Sequence, residues 1–217
     1  MSNQTDAVIE FILHRIDEGI LNPGDAIAED ALIDELDISK TPLREALIRL
    51  EQTGLITRKP RQGATIFKPS IEEFLRILEV HAALEGQAAE LAARRLTKHQ
   101  GDELERAVAA CEAFERKGDD DDARAYYRLN LNFHKTVAEA SGNPFLVDLI
   151  KANGRKLMAY YRARYNYRGT IKISAQEHRQ IAGLILDRNS REAEAAMCKH
   201  VQFDQITAMD LLASVGG

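Results

Sequence analysis

The sequence predicts a mainly α protein: an N-terminal winged helix-turn-helix followed by an antiparallel all-α helical bundle of about six helices. Residues 38–67 read ISKTPLREALIRLEQTGLITRKPRQGATIF, which is a short polar turn, a helix with arginines on one side, and a basic, glycine-containing hairpin. Charge is segregated along the same stretch. Residues 1–39 hold one basic residue, Arg15, against ten acidic ones, whereas residues 40–68 hold seven basic residues against two acidic, Glu45 and Glu51. From residue 71 onward every periodic pattern is helical, and no strand-like alternation competes with it.

The whole chain carries a net charge of −5, which by itself would argue against a polyanionic partner. Phosphate, however, responds to the local cationic surface and not to the average. At 217 residues, with 45% hydrophobic and 29% charged residues, the chain is long enough for two modest, well-cored domains, expected at residues 1–68 and 71–217. It has no apolar run near the roughly 20 residues that span a bilayer. The start, MSNQTDAVIE, is polar and acidic and so unlike a signal peptide. A cytoplasmic protein with no membrane partner is expected. Cys111 and Cys198 stand far apart without a CxxC partner, which fits two reduced thiols and gives them no functional role.

In the first domain Val8, Ile9, Ile12, Leu13, Ile16 and Ile20 recur at three- and four-residue spacing, predicting a helix over residues 5 to about 19 that Asn22-Pro23-Gly24-Asp25 stops. A second helix, about Glu29–Leu36, is expected to bury Ala28, Leu32, Ile33 and Leu36. A third follows, with Ser39 or Thr41 as cap and Pro42 in its first turn. It buries Leu43, Ala46, Leu47 and Leu50 and shows Lys40, Arg44 and Arg49 on its other face. A solvated charged helix face would look the same. The wing decides between them: Leu55-Ile56-Thr57 and Ala64-Thr65-Ile66-Phe67 read as strands around the turn Arg58-Lys59-Pro60-Arg61-Gln62-Gly63, and cations at a hairpin tip have no packing reason to cluster.

In the second domain Ser70 can cap a helix with Glu72 and Glu73 in its first turn. Helices are expected at about 71–96, 100–117, 121–140, 144–166, 172–188 and 191–214. The breaks fall at Thr97-Lys98, Gly118-Asp119, Gly142-Asn143-Pro144, Arg168-Gly169-Thr170 and Asn189-Ser190. Ala82, Ala83, Ala88, Ala89, Ala92 and Ala93 would let helices approach closely. Asn130 and His134 lie four apart, hence on one helix face, while His178 and His200 belong to two later helices. Three imidazoles and an oxygen suit Zn²⁺, or a similar divalent ion such as Ni²⁺ or Mn²⁺. An isolated histidine more often fills or caps its own helix, and no spacing rule joins these three.

The stretch PGDAIAEDALIDELDISKTPLREALIRLEQTGLITRKPRQGATI resembles the DNA-binding domain of GntR-family bacterial transcription regulators. By that resemblance Ser39, Lys40, Thr41 and Arg44 would meet phosphates and the major groove, with Arg49 on the same helix, while Arg61, Gln62 and Gly63 would enter the minor groove. Lys40 stands where the family usually has Arg; a point charge lacks the two-pronged donor that reads guanine, so base reading leans on Arg44. The segments YYRLNLNFHKTVAEASGNPFLVDLI and AQEHRQIAGLILDRNSREAEAAMCKHV resemble the all-helical ligand-binding domain of the FadR subfamily, the FCD type. The resemblance implies Asn130, His134, His178 and His200 as ligands of a divalent metal ion, with Asn130 in place of the commoner Asp. The lost charge leaves the site more positive and favours a small carboxylate bound directly to the metal.

His81 and Glu85 join the expected effector site, His81 where the subfamily often has an Arg that contacts the effector's acid group. The substitution suits a pH-sensitive anion contact, a further metal contact or a different effector class. The run MAYYRARYNYR, with Tyr160, Tyr161, Arg162, Arg164, Tyr165 and Arg168, could line the pocket or a subunit contact; such a helix is more often a surface or interface feature, so Arg162 alone is kept as an effector contact.

The resemblance therefore implies a homodimeric regulator, a repressor by preference, that binds a palindromic double-stranded DNA operator and senses a small organic acid through a metal-containing domain. A metal-sensing regulator is the first alternative. A metal-dependent enzyme is the second, disfavoured because no general base, nucleophile motif or phosphate-binding glycine loop accompanies the histidines.

Overall fold

The computed structural model describes residues 4–60, 62–117 and 122–202. The chain divides into two compact units, Met1–Ser70 and Ile71–Gly217.

The first unit holds helices α1 (Gln4–Asp17), α2 (Glu29–Leu36) and α3 (Lys40–Gln52), then strands β1 (Ile56–Lys59) and β2 (Gly63–Ile66). Val8, Ile12 and Ile16 of α1, Leu32 of α2, and Leu43, Ala46, Leu47 and Leu50 of α3 form its core together with Leu55, Ile56, Ala64 and Ile66. Each large side chain there contributes about 1.5–3 kcal/mol by leaving water. Ile20 and Ala28 do not join them. Helix α1 stops at Asp17, so Ile20 falls outside the periodic face and is 58% exposed, while Ala28 precedes α2 and is exposed. Ile33 and Leu36 are half-buried.

Between α2 and α3 the chain turns through Asp37, in the left-handed region at φ 49°, whose N–H bonds the Ile33 carbonyl. Ion pairs brace the three helices: Arg49 Nη1 to Asp6 at 2.7 Å and Arg15 Nη1 to Glu35 at 3.3 Å, with the Thr5 hydroxyl donating to Glu45 at 2.9 Å.

The antiparallel hairpin pairs Ile56 with Ile66 and Lys59 with Gly63. It is tighter than the sequence suggests. Arg58 and Lys59 belong to β1 and Gly63 begins β2, where its φ of +78° suits a residue without Cβ. A further edge was not legible: residues 24–27 run alongside β2, with Ile27 N–H donating to the Ala64 carbonyl at 2.8 Å and Ile66 N–H to the Asp25 carbonyl at 2.9 Å. Two bridging residues are too few to carry a period.

Every regular element described in the second unit is a helix: α4 (Ile71–Arg95), α5 (Lys98–Lys117), α6 (Ala123–Ala140), α7 (Pro144–Arg164), α8 (Thr170–Leu186) and α9 (Ser190–Val201). The caps fix the boundaries. Asp122 accepts from Ala125 N–H at 2.8 Å at the start of α6, Asn143 accepts from Leu146 N–H at 3.3 Å ahead of Pro144, and Gly169, at φ +85°, turns the chain into α8. The continuation of α9 expected to residue 214, the break at Gly118-Asp119, and Arg61 lie outside the described residues.

Helix α4 is the central element and packs on α6, α7, α8 and α9. Its Ala82, Ala89, Ala92 and Ala93 are buried, Ala83 is not, and a Cβ at Gly86 would collide with the Cys198 sulfur of α9. Small residues thus set the α4–α9 approach. Arg188, past the end of α8, donates to the Ala93 and Leu96 carbonyls at 3.0 and 2.9 Å and so satisfies the carboxyl end of α4.

Candidate functional site

In the first unit α3 presents Lys40, Thr41 and Arg44 to solvent at its amino end, and neither Lys40 nor Arg44 has an ion-pair partner among the described residues. Ser39 occupies the cap position in extended conformation without a side-chain cap bond, so its hydroxyl and the first amides of α3 are uncommitted. Arg49 is placed differently: its guanidinium turns back to Asp6 of α1, and the pair is half-exposed. Gln62 and Gly63 are exposed at the wing, and Lys59 beside them is exposed as well.

In the second unit helical packing brings three histidines together. One ring nitrogen from each of His134 (α6), His178 (α8) and His200 (α9) lies within 4.8 Å of the other two. His178 and His200 are buried at 0% and 3% exposure, and their Nε2 atoms are 3.1 Å apart. That separation suits a shared cation: at metal–nitrogen bonds of about 2.0–2.1 Å, two ligands stand roughly 2.9 Å apart at a right angle and 3.3 Å at the tetrahedral angle. Phe133 stacks on His178, with ring centroids 3.9 Å apart, and holds its plane. The Glu177 carboxylate stands 2.7 Å from His200 Nδ1 and takes its proton as a hydrogen bond, which leaves Nε2 as the lone-pair nitrogen. The donor set fits a divalent metal ion such as Zn²⁺.

Asn130 is buried on the same helix, but its Oδ1 accepts a hydrogen bond from the Tyr165 hydroxyl at 2.8 Å. Burial pushes the Tyr165 phenol up to about 12, so it donates at neutral pH. One lone pair of the Asn130 oxygen remains for a cation. Ser174 lies 3.3 Å from the same hydroxyl.

Glu85 on α4 is 2% exposed and sits between two imidazoles, its Oε2 3.3 Å from His134 Nδ1 and its Oε1 3.6 Å from His81 Nε2. Burial raises its carboxyl, but the charge and hydrogen bond of His134, then His81 and His200, outweigh this and hold it below the usual carboxylate range. Arg162 lies over the Tyr127 ring, 5.3 Å from its centroid. The aromatic run around it is not a surface feature: Tyr160 is buried and stacks on Phe74, and Tyr165 is buried under Tyr126. Arg164 donates to the His200 carbonyl at 3.4 Å. Glu177, Tyr165 and Arg164 therefore belong to the site. In the sequence the Glu-His dipeptide at 177–178 signalled the first, and the run MAYYRARYNYR, which could line a pocket, contained the other two.

Residues 76–203 match the FCD domain and residues 4–66 the gntR family of bacterial regulatory proteins. The chain belongs to this family, with an FCD domain after the GntR helix-turn-helix. The Nta operon transcriptional regulator of Aminobacter aminovorans is 29% identical over 189 residues, covering 85% of each chain. The HTH-type transcriptional repressor RspR of Escherichia coli K12 is 25% identical over 184 residues, covering 84% of this chain and 79% of that one. Among solved structures, E. coli McbR/YncC superposes with a TM-score of 0.78 at 21% identity over 99% of both chains, a likeness of fold. This GntR–FCD protein is a transcription regulator, and its family and relatives are regulators, not enzymes. No helix among its described residues is long and apolar enough to cross a membrane.

The buried imidazoles also set a pH limit on stability. Burial lowers His200 to about 4 and, with the neighbouring His200 and His134, lowers His178 well below its ordinary value. Below the unfolded value of about 6.5 the unfolded chain binds protons that the folded bundle refuses, so stability falls as pH falls, until His200 protonates near 4. Each of the two histidines costs up to about 1.4 kcal/mol per pH unit across that window. Metal-free protein is expected to unfold at clearly lower denaturant at pH 5.5 than at pH 7.5. Midpoints that coincide would refute neutral burial.

Proposed function

We propose that this regulator is a repressor that binds a palindromic double-stranded DNA operator as a homodimer and senses a small organic acid through a metal-containing FCD domain. The observation that carries the sensing half is the convergence of His134, His178 and His200 inside the helical unit. A divalent ion held by three imidazoles keeps open coordination positions that suit a carboxylate. Asn130 is the proposed neutral oxygen ligand, and His81, Glu85 and Arg162 are the side chains proposed around the effector. The DNA half is carried by Ser39, Lys40, Thr41 and Arg44 at the amino end of α3, with Arg61, Gln62 and Gly63 from the wing. Arg49 serves mainly to brace α1, given its pairing with Asp6.

Helix α4 is the proposed coupling element, because it carries His81 and Glu85 and begins at Ile71, the first residue of the second unit. An effector that favours one placement of α4 over another shifts the DNA-competent population by its difference in affinity for the two. Measuring operator affinity at fixed salt, first metal-free, then with Zn²⁺, then with a panel of organic acids, tests the scheme. A response to an acid only when metal is present is expected. A response to metal alone would replace it with a metal-sensing regulator.

Dimerisation is supported by apolar surface. On α7, Phe145 is 80% exposed and Leu149, one turn on, is 53% exposed, a stripe that a second copy would cover. Replacing both by Glu is expected to give a monomer in sedimentation and to lower operator affinity on the order of 100-fold, since linked half-sites bind in concert. A variant that stays dimeric places the interface elsewhere.

A further inference from the structure

The metal reading leaves one feature unexplained: a carboxylate buried as deeply as Glu85. An acid at 2% exposure requires a positive partner. Its nearest ionisable neighbours are the imidazoles of His81 and His134. Glu85 Oε2 and His134 Nδ1 face each other at 3.3 Å, and neither atom has another hydrogen-bond partner among the described residues. Across the site the Glu177 carboxylate stands on the Nδ1 side of His200 and accepts a closer hydrogen bond, at 2.7 Å. Two of the three clustered imidazoles thus have a carboxylate on the Nδ1 side, one from α4 and one from α8. A carboxylate there holds the proton on Nδ1, turns the Nε2 lone pair inward and raises its basicity.

Resting on the metal reading above, we propose that Glu85 and Glu177 are positioning residues for a divalent cation, fixing the tautomers of His134 and His200, with Glu85 supplying the negative charge that Asn130 does not. Glu85 then acts on the ion through His134 and is not primarily an effector contact. His81 completes the arrangement by facing the second Glu85 oxygen at 3.6 Å. Two outer carboxylates balance the charge of one divalent ion, so the site tolerates a neutral amide at position 130.

The consequence is a difference between the metal-free and metal-loaded states. Without metal, Glu85 is a buried charge compensated by the imidazoles beside it, and with metal it also anchors a ligand. Full-length protein stripped of metal is titrated with Zn²⁺ against a chromophoric chelator, and unfolding is followed with and without Zn²⁺. Glu85→Gln is expected to weaken Zn²⁺ binding about 10–100-fold, in the range for such outer partners. It should lower the Zn²⁺-loaded melting temperature by more than it lowers the metal-free one. Glu177→Gln, half-exposed and so gentle on folding, should weaken binding in the same direction.

Unchanged Zn²⁺ affinity in both variants would overturn the inference while leaving the histidine site standing, and so would a Glu85→Gln protein whose only defect is a lower metal-free melting temperature. A change confined to organic-acid affinity at saturating Zn²⁺ would return Glu85 to the effector pocket. A parent protein that binds no Zn²⁺ would remove the metal reading and this inference together.

Discussion

Arg44→Ala is expected to cost operator binding about 1–3 kcal/mol, some 5- to 150-fold, while random duplex loses only the share of one phosphate contact. The expectation rests on placement. Arg44 stands one turn into α3, exposed, without an ion-pair partner among the described residues, on a helix whose opposite face is locked into the core by Leu43, Ala46, Leu47 and Leu50. A rigid support makes a fork of five donors a reader of guanine, because the geometry is set before DNA arrives. Lys40, one turn earlier, offers only a point charge. Lys40→Ala should therefore weaken operator and random duplex alike and lower the salt dependence by about one counterion. Anisotropy titrations of both variants on operator and scrambled duplex, at two salt concentrations, separate the roles. Equal losses for Arg44→Ala on the two DNAs would mean that it holds phosphate and reads no base.

The helix-turn-helix was legible because local chemistry and burial agree there. Helix α2 spans Glu29–Leu36 as its periodicity indicates, and α3 buries Leu43, Ala46, Leu47 and Leu50 as expected, with Ile48 left exposed. Errors cluster where the chain leaves a period. Ile20 and Ala28 look apolar in sequence but lie beyond helix ends, where no facing surface exists for them. The wing strands slide two residues into the cationic run because pairing of Lys59 with Gly63 sets the register, and a glycine at positive φ, not the apolar residues, fixes where the turn closes.

The helical domain shows a different limit. Its elements were readable from caps and breaks such as Asn143-Pro144 and Gly169. The site, however, is made of contacts between elements far apart in sequence. His178 and His200 meet at 3.1 Å because α8 and α9 both pack on α4, and nothing local encodes that distance. The engagement of Asn130 by Tyr165, and the facing of Glu85 and His134 across α4 and α6, likewise depend on inter-helix register. The surface reading of the tyrosine-rich run fails for a related reason. A tyrosine hydroxyl can be buried only when partners from other helices receive it, and Asn130 and Ser174 are such partners for Tyr165.

His178→Ala should abolish the metal response. Removing one of three imidazole ligands is expected to weaken Zn²⁺ binding by at least about 100-fold, beyond the loss for an outer partner. The added stability that metal gives the native state by mass action disappears with it. His178 is the proposed ligand with the greatest leverage, being wholly buried, stacked on Phe133 and 3.1 Å from His200. That same burial makes its truncation costly to packing, so the variant needs a companion. His134, on the more open side of the site with its side chain 14% exposed, offers one. His134→Ala should lose Zn²⁺ comparably with a smaller loss of metal-free stability. In both, operator binding by metal-free protein should persist, because the cationic helix and wing belong to the other compact unit. The organic-acid response should vanish. Were His134→Ala to retain both parent Zn²⁺ affinity and acid response, the three-histidine site would not be the sensor, and the convergence of these rings would be a matter of packing alone.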